Sequence, residues 1–450
     1  MLRNRAWVSW LPAPIQNRLH DRYTAQAVLA NSGWLIFDRA GRMLTSLLVG
    51  VWMIRYLGPS QYGELAYILA CVAFFQVLVS LGLDSIVVRE VAIDSEQAPH
   101  ILGSTLFLRS TAGIFGWLIA IASMAIFESG PHKNILLICI AGSSLVFQAA
   151  DSVDLWFQSQ NQSRRTVTVK LIAHLAANGF KVGLILLQAP LVYFAGAVAI
   201  EALLCACGLF FAYTRFRTST PWFHTATKSM ALLSESFPFI ISGISTIIYM
   251  RIDQFMIKHY LGDTQLGIYS SIILLSQALN FLPATIVSSI LPHMARISTT
   301  NVVTYEKFLI KIFRFFFYGA LFFSLCISFF SSNIISAFYG SAYVSGNGVL
   351  ALHIFSNVFI WLGVAHTIWV VIEKKPSIRV YGTLIAAVAN IICNIALIPH
   401  LGLLGACYAT IVSQFIAAVG INLFLAKRSF QLQLSAIFFI PFPAARTLHG

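Results

Sequence analysis

A chain of 450 residues with 58% hydrophobic and only 10% charged residues is excluded from the soluble domains, in which roughly a quarter of residues carry charge. Its mean hydropathy of +0.80 means more apolar side chain than a soluble core can bury, so an all-α integral membrane protein is expected. The net charge of +13 would suit nucleic acid, but its placement along the chain assigns it to anionic lipid, and no nucleic-acid partner is expected.

In chain order, residues 1–33 form a basic segment that includes "AWVSWLPAPIQNRLHDRY". It lacks the short apolar run and small-residue site of a cleavable signal. It reads either as an amphipathic segment in the membrane interface or as a flexible tail. Apolar runs of about 20 residues then predict spans at 34–55, 64–84, 104–127, 134–157, 167–188 and 191–213, forming an N-terminal half over 34–213. A basic linker covers 214–236. The C-terminal half, 237–426, has spans at 237–259, 266–291, 310–330, 346–372, 378–398 and 403–426, and a tail covers 427–450. The stretch "FYGSAYVSGNGV" interrupts the pattern before the tenth span.

With the N-terminus inside, 21 Lys and Arg fall on cytoplasmic segments: Arg3, Arg5, Arg18, Arg22, Arg89, Arg164, Arg165, Lys170, Arg215, Arg217, Lys228, Arg296, Lys307, Lys311, Arg314, Lys374, Lys375, Arg379, Lys427, Arg428 and Arg446. Only Arg55, Lys133 and Lys258 fall outside. This asymmetry predicts cytoplasmic termini and an even number of spans. The seven cysteines sit in apolar runs without a C-x-x-C, and the eleven histidines show no ligand spacing. No metal or other cofactor is expected.

One turn is written twice. "YLGPSQYG" begins at Tyr56 and "YLGDTQLG" at Tyr260, 204 residues later. Six predicted spans separate the copies, so the halves share an orientation and are related by an axis along the membrane normal, a parallel repeat enclosing a central cavity. The ends of the halves agree: "LLQAPLVYFAGAVAIEA" and "LIPHLGLLGACYATIVS" both place a Pro before a turn and then a Gly-Ala pair, Gly196-Ala197 and Gly405-Ala406. Gly58 and Gly262 are expected to stop a helix in a left-handed conformation, with Pro59 opening the next turn.

Ionisable residues inside a membrane are costly and by default mark function. Span one carries Asp38, Arg39 and Arg42, and span seven carries Arg251 and Asp253. Lys181, Glu201 and Arg109 lie in spans five, six and three. Arg42 precedes Tyr56 by 14 residues, about 21 Å of helix, and Arg251 precedes Tyr260 by nine, about 13 Å. A cationic ladder of Arg39, Arg42 and Arg251 facing the cleft would guide an anionic headgroup. The competing readings are that Arg39 snorkels to the interface and that Asp38 neutralises Arg42 four residues on. Arg251 and Asp253, two apart, do not share a helix face, and each needs a partner elsewhere or a hydrated cavity. Lys181 and Glu201 are either coupling charges or a structural ion pair.

These residues resemble the Wzx-type oligosaccharide (O-antigen) flippases of the multidrug/oligosaccharidyl-lipid/polysaccharide exporter superfamily. The resemblance rests on "RYLGPSQYGELAY", "LGLDSIVVREVA", "LWFQSQNQSRRTV", "YMRIDQFMIKHYLGDTQLGIYS", "LPATIVSSILP" and "IALIPHLGLLGA", between about residues 34 and 426. It implies a non-enzymatic flippase of the bacterial inner membrane. Such a protein moves undecaprenyl-pyrophosphate-linked oligosaccharide from the cytoplasmic to the outer leaflet for surface polysaccharide biosynthesis. It also implies contacts with membrane lipids and with polymerase and chain-length proteins. A pyrophosphate suits the planar fork of arginine better than lysine. Arg251 and Asp253 lie in the best-matching segment. The alternatives are a cation-coupled multidrug exporter of the same superfamily, which would be expected to use carboxylates in its lobes, and a glycan polymerase or ligase, which the short outer loops disfavour. A lipid II flippase would be expected to have fourteen spans.

Overall fold

The computed structural model describes residues 23–127, 133–160, 162–216 and 221–441, with side chains for 41–126, 133–160, 162–215 and 221–441. Residues 1–22, with most of the expected N-terminal segment, lie outside them. Among the described residues the regular structure is helix without strand. In a bilayer, helices satisfy every backbone group internally. The N-terminal half comprises α1 (Tyr23–Ser80), α2 (Asp84–Ile93), α3 (Ala98–Phe127), α4 (Lys133–Gly142), α5 (Ser144–Phe147), α6 (Asp151–Ser159), α7 (Ser163–Leu186) and α8 (Leu191–Phe216). The C-terminal half comprises α9 (Ala226–Gln277), α10 (Phe281–Thr300), α11 (Val302–Phe329), α12 (Ser331–Phe338), α13 (Asn347–His353), α14 (Ser356–Ile372), α15 (Pro376–Leu401), α16 (Leu403–Phe415), α17 (Asn422–Leu425) and α18 (Lys427–Ile437).

Nine segments of the described residues are long and apolar enough to cross a membrane, and a bent pair, Ser341–His353 with Ser356–Ile372, makes a tenth. Two of the nine, Gly41–Ile93 and Ala226–Thr300, run for 53 and 75 residues, far more than the roughly 20 of one crossing. Each contains one of the repeated turns. Gly58 has φ 70° and ψ 171°, and Gly262 has φ 81° and ψ −178°. Divided there, the segments are consistent with twelve spans. The turns differ from the expected left-handed helix stop: φ is positive but ψ is extended, and helix resumes at once. Pro59 becomes the first residue of the next helix, where its missing N–H is harmless.

One core cluster crosses from half to half at the end that carries the turns. It joins Ile54, Leu65 and Ile68 to Ile257, Leu266, Tyr269 and Ile272. The interrupted stretch before the tenth span belongs to it. The Tyr343 hydroxyl donates to the Ile54 carbonyl (2.9 Å) and the Tyr339 hydroxyl to Ser271 (2.8 Å). The opposite end of each half has its own core, around Leu83, Val87, Ile101 and Phe157, and around Phe313, Phe316, Leu362 and Ile368. The tail expected from residue 427 is helical to Ile437 and packed: Leu432 and Ala436 are buried, Arg428 pairs with Glu306, and the Tyr318 hydroxyl donates to the Ile437 carbonyl (2.6 Å).

Candidate functional site

The halves meet along a seam between residues 59–80 of α1 and 226–261 of α9, which run antiparallel. At one end the two turns pack on each other. A Cβ on Gly63 would lie 1.8 Å from the Asp263 carbonyl oxygen, and one on Gly267 would lie 1.8 Å from that of Pro59. Gly63 and Gly267 close the two copies of the motif, and Pro59 and Asp263 hold one position within it. The contact is therefore self-complementary, like that of a two-fold dimer, and only glycine fits its two inner positions. Further along, Tyr67 meets Phe255 edge to face (5.7 Å). A Cβ on Gly243 would lie 2.9 Å from Val77, and one on Gly82 would lie 2.7 Å from Phe239. At the far end Arg89 pairs with Glu235.

Three cavities flank this seam. The first, of about 410 Å³, lies between α1, α3 and α9, and it holds Arg251 among Tyr67, Phe74, Phe75, Met124 and Phe255. Among the described residues Arg251 is its one charged group. The second, about 320 Å³, is inside the N-terminal half, and the third, about 430 Å³, inside the C-terminal half. Those two occupy equivalent places in the repeat. Gln76 and Asn280 line them at the 204-residue offset of the turns. Glu201 and Thr410 line them at the offset that relates Gly196 to Gly405.

The N-terminal cavity is charged. Lys170 bridges Asp151 (2.9 Å) and Asp154 (2.7 Å). Glu201 receives His174 Nδ1 at 2.8 Å and Lys181 Nζ at 3.8 Å. With Nδ1–H given to Glu201, His174 Nε2 accepts from Asn178 (3.0 Å) and the Ser46 hydroxyl (3.1 Å). The single ring thereby ties α1 to α7 and α8. The C-terminal cavity is mostly neutral. Its carboxylate, Asp253, is buried and accepts from the Tyr269 hydroxyl at 2.5 Å and the Gln254 N–H at 2.8 Å. Ser356 Oγ, His366 Nε2 and Asn422 Oδ1 line it without a protein partner among the described residues. Buried groups of this kind are satisfied by water or a ligand.

A family model for polysaccharide biosynthesis proteins matches residues 28–298. The chain belongs to that family. No curated protein sequence matches the chain. Among solved structures it is similar to the lipid II flippase MurJ in an inward closed conformation, with a TM-score of 0.73, 14% identity, and 91% of this chain and 94% of that one covered. It is similar to a multidrug resistance MATE transporter of the MOP superfamily in its inward-facing conformation (TM-score 0.70, 15% identity, 87% and 95% covered). An outward-facing MATE transporter of that superfamily gives 0.58 at 15% identity, with 89% and 95% covered. The fold is thus of the MurJ/MATE kind.

Within this family member the expected site residues are dispersed. Arg39 has its side chain outside the described residues. Arg42 lines the N-terminal cavity and Arg251 the seam cavity, so these two of the three arginines of the expected ladder face different spaces. Arg251 and Asp253 also part company: Arg251 looks into the seam cavity, and Asp253 looks into the C-terminal one. Lys181 and Glu201 are joined, with His174 as the closer partner of the carboxylate. Arg109 is buried and clasps Asp84 (2.5 Å) and the Ser80 carbonyl (3.3 Å), securing the end of α1. His174 escaped the sequence reading, which sought metal-ligand spacing. The available signal was a polar stripe on one helix, Lys170, His174, Asn178 and Lys181.

Proposed function

We propose that the protein is a flippase. It carries undecaprenyl-pyrophosphate-linked oligosaccharide from the cytoplasmic to the outer leaflet of the bacterial inner membrane, with both termini cytoplasmic and the turn end outside. The observation that carries this reading is Arg251. It is a guanidinium within a span, at the boundary between the halves, with no hydrogen bond or ion pair to any described residue. Placing such a charge deep in a bilayer costs about 3 kcal/mol on insertion scales, and a phosphate group offsets that cost with charge-assisted, bidentate hydrogen bonds. Family membership supplies the polysaccharide context. The two interior cavities are polar enough to hydrate a glycan while the lipid tail stays in the bilayer. Polymerase and chain-length proteins are proposed partners on the same basis.

Asp253 favours a second reading, a cation-coupled exporter, because it is a buried carboxylate facing a polar cavity. Depletion in the native bacterium separates the two. The flippase reading requires surface glycan to fall while completed lipid-linked units accumulate facing the cytoplasm. Unchanged glycan with raised sensitivity to cationic drugs establishes the exporter.

A further inference from the structure

We infer that α18 belongs to the substrate site: its Gln433 orients Asn422, and Asn422 offers an acceptor to a sugar hydroxyl in the C-terminal cavity. The inference rests on the flippase reading and adds where a sugar is read and which residue sets the reader. It also gives a role to a helix that follows the last apolar segment, Leu403–Leu425.

That segment is not one uniform helix. Between α16 and α17 it passes through a π-helical turn, Ile416–Gly420, where the Ile421 N–H donates to the Ile416 carbonyl (2.9 Å). Such turns are frequent at functional sites. Within it the Ala418 carbonyl accepts from Asn422 Nδ2 (2.9 Å) and from Gln433 Nε2 (3.0 Å). A carbonyl can only accept, so both amides turn their nitrogens to it. Gln433 has its oxygen left, and that oxygen accepts from Asn422 Nδ2 (3.1 Å). The triangle fixes Asn422. Its nitrogen is engaged twice, and its Oδ1 has no partner among the described residues. Asn422 and Gln433 are both fully buried, where an unmet acceptor is costly. α18 is itself held in place. Arg428 clasps Glu306 of α11 through two nitrogens, and Arg314 donates to the Ser435 and Ala436 carbonyls (both 3.3 Å).

Asn422 lines the C-terminal cavity with Ser356 and His366 of α14, whose Oγ and Nε2 likewise have no partner among the described residues. The hydroxyl can donate or accept, and the ring nitrogen does either according to tautomer, whereas Asn422 Oδ1 can only accept. An ionised phosphate brings no proton for Asn422. A sugar hydroxyl both donates and accepts, and so fits all three. The cavity, of about 430 Å³, is within the usual 300–1,000 Å³ of ligand pockets and far larger than a bare ion needs.

The test uses the purified full-length chain in nanodiscs. The probe is the lipid-free repeat oligosaccharide released from the native bacterium's own surface polysaccharide. Wild type should bind it in calorimetry, and binding should slow hydrogen exchange in peptides covering 416–422 and 427–437. Asn422→Leu should weaken binding about tenfold, as when one buried hydrogen bond is removed. Gln433→Met keeps the bulk and loses both bonds, and it should weaken binding as much. The double variant should be no weaker than Asn422→Leu alone, because Gln433 acts through Asn422. Each variant must match wild type in circular dichroism and size exclusion; should Gln433→Met fail to fold, exchange in wild-type α18 decides in its place. Undiminished binding by Asn422→Leu overturns the site and leaves only a structural water there. Undiminished binding by Gln433→Met, additive losses in the double variant, or unchanged exchange in α18 would each overturn the positioning role. Protection of α18 by sodium alone makes the ligand a cation and overturns the sugar assignment. If wild type ignores the oligosaccharide while depletion still makes lipid-linked units accumulate, the site falls and the flippase reading stands. If binding persists while depletion leaves those units undisturbed, the transport reading falls and the site stands.

Discussion

The two halves build one cavity each at equivalent places and furnish them differently. Where the N-terminal cavity has Glu201, the C-terminal one has Thr410. At the same offset Lys170 corresponds to Arg379, and by the offset of the turns Arg42 corresponds to Thr246. The N-terminal cavity is thus bound together by ion pairs across three helices, whereas the C-terminal one holds Arg379 and a single buried carboxylate, Asp253, that accepts hydrogen bonds from Tyr269 and the Gln254 N–H. The difference shows that a duplicated fold keeps its backbone contacts, at Gly63 and Gly267, while the side chains that meet solvent or substrate diverge. Rigid symmetry is required only where backbone touches backbone.

The comparison is broken most severely at its symmetric point. Gly63→Ala or Gly267→Ala places a methyl group inside a carbonyl oxygen, so the turns cannot close. Surface glycan should fall to background with the protein still in the membrane. Cysteines introduced at the turn end should become permanently accessible to a membrane-impermeant thiol reagent. Normal transport by either variant would show that this contact is dispensable.

Next in size come the arginines of the two cavities. Arg251→Ala should reduce transport by about tenfold or more, and Arg42→Ala by less, because Arg42 faces a cavity that holds other cations. If both variants transport normally, no cationic path exists. Glu201→Thr makes the N-terminal cavity resemble its counterpart and leaves His174 and Lys181 without their shared carboxylate. A loss of about 1 kcal/mol is expected for this partly buried network, read as a shift in thermal unfolding. Tyr269→Phe, which removes the donor held by Asp253, should destabilise by about 1–3 kcal/mol, a test of whether the C-terminal cavity depends on its one carboxylate. Least affected should be Arg89→Ala. Its ion pair with Glu235 is exposed on both sides, and solvent screens such pairs, so thermal unfolding should be unchanged.

Hydropathy was enough to find the helices, because a bilayer demands long apolar runs and little else satisfies that demand. The repeated "YLG" was enough to find the duplication. The second glycine of each copy was visible too, but nothing in one sequence says that position 63 will lie against position 263. That fact depends on how two helices cross. The charges were legible as positions inside spans. Their partners were not, since Arg42 and Arg251 differ in which face of the helix turns toward which cavity.

By itself, then, the sequence determined the membrane class, the all-helical fold, the repeated turn and the list of charges within apolar runs. Each follows from local composition or from self-similarity along the chain. Only the tertiary structure decided that the turns seal the seam glycine to glycine, that His174 shares Glu201 with Lys181, and that Arg251 and Asp253 line different cavities. Each of these depends on contacts between residues far apart in the chain, and helix packing, unlike hydropathy, leaves no record at either position alone.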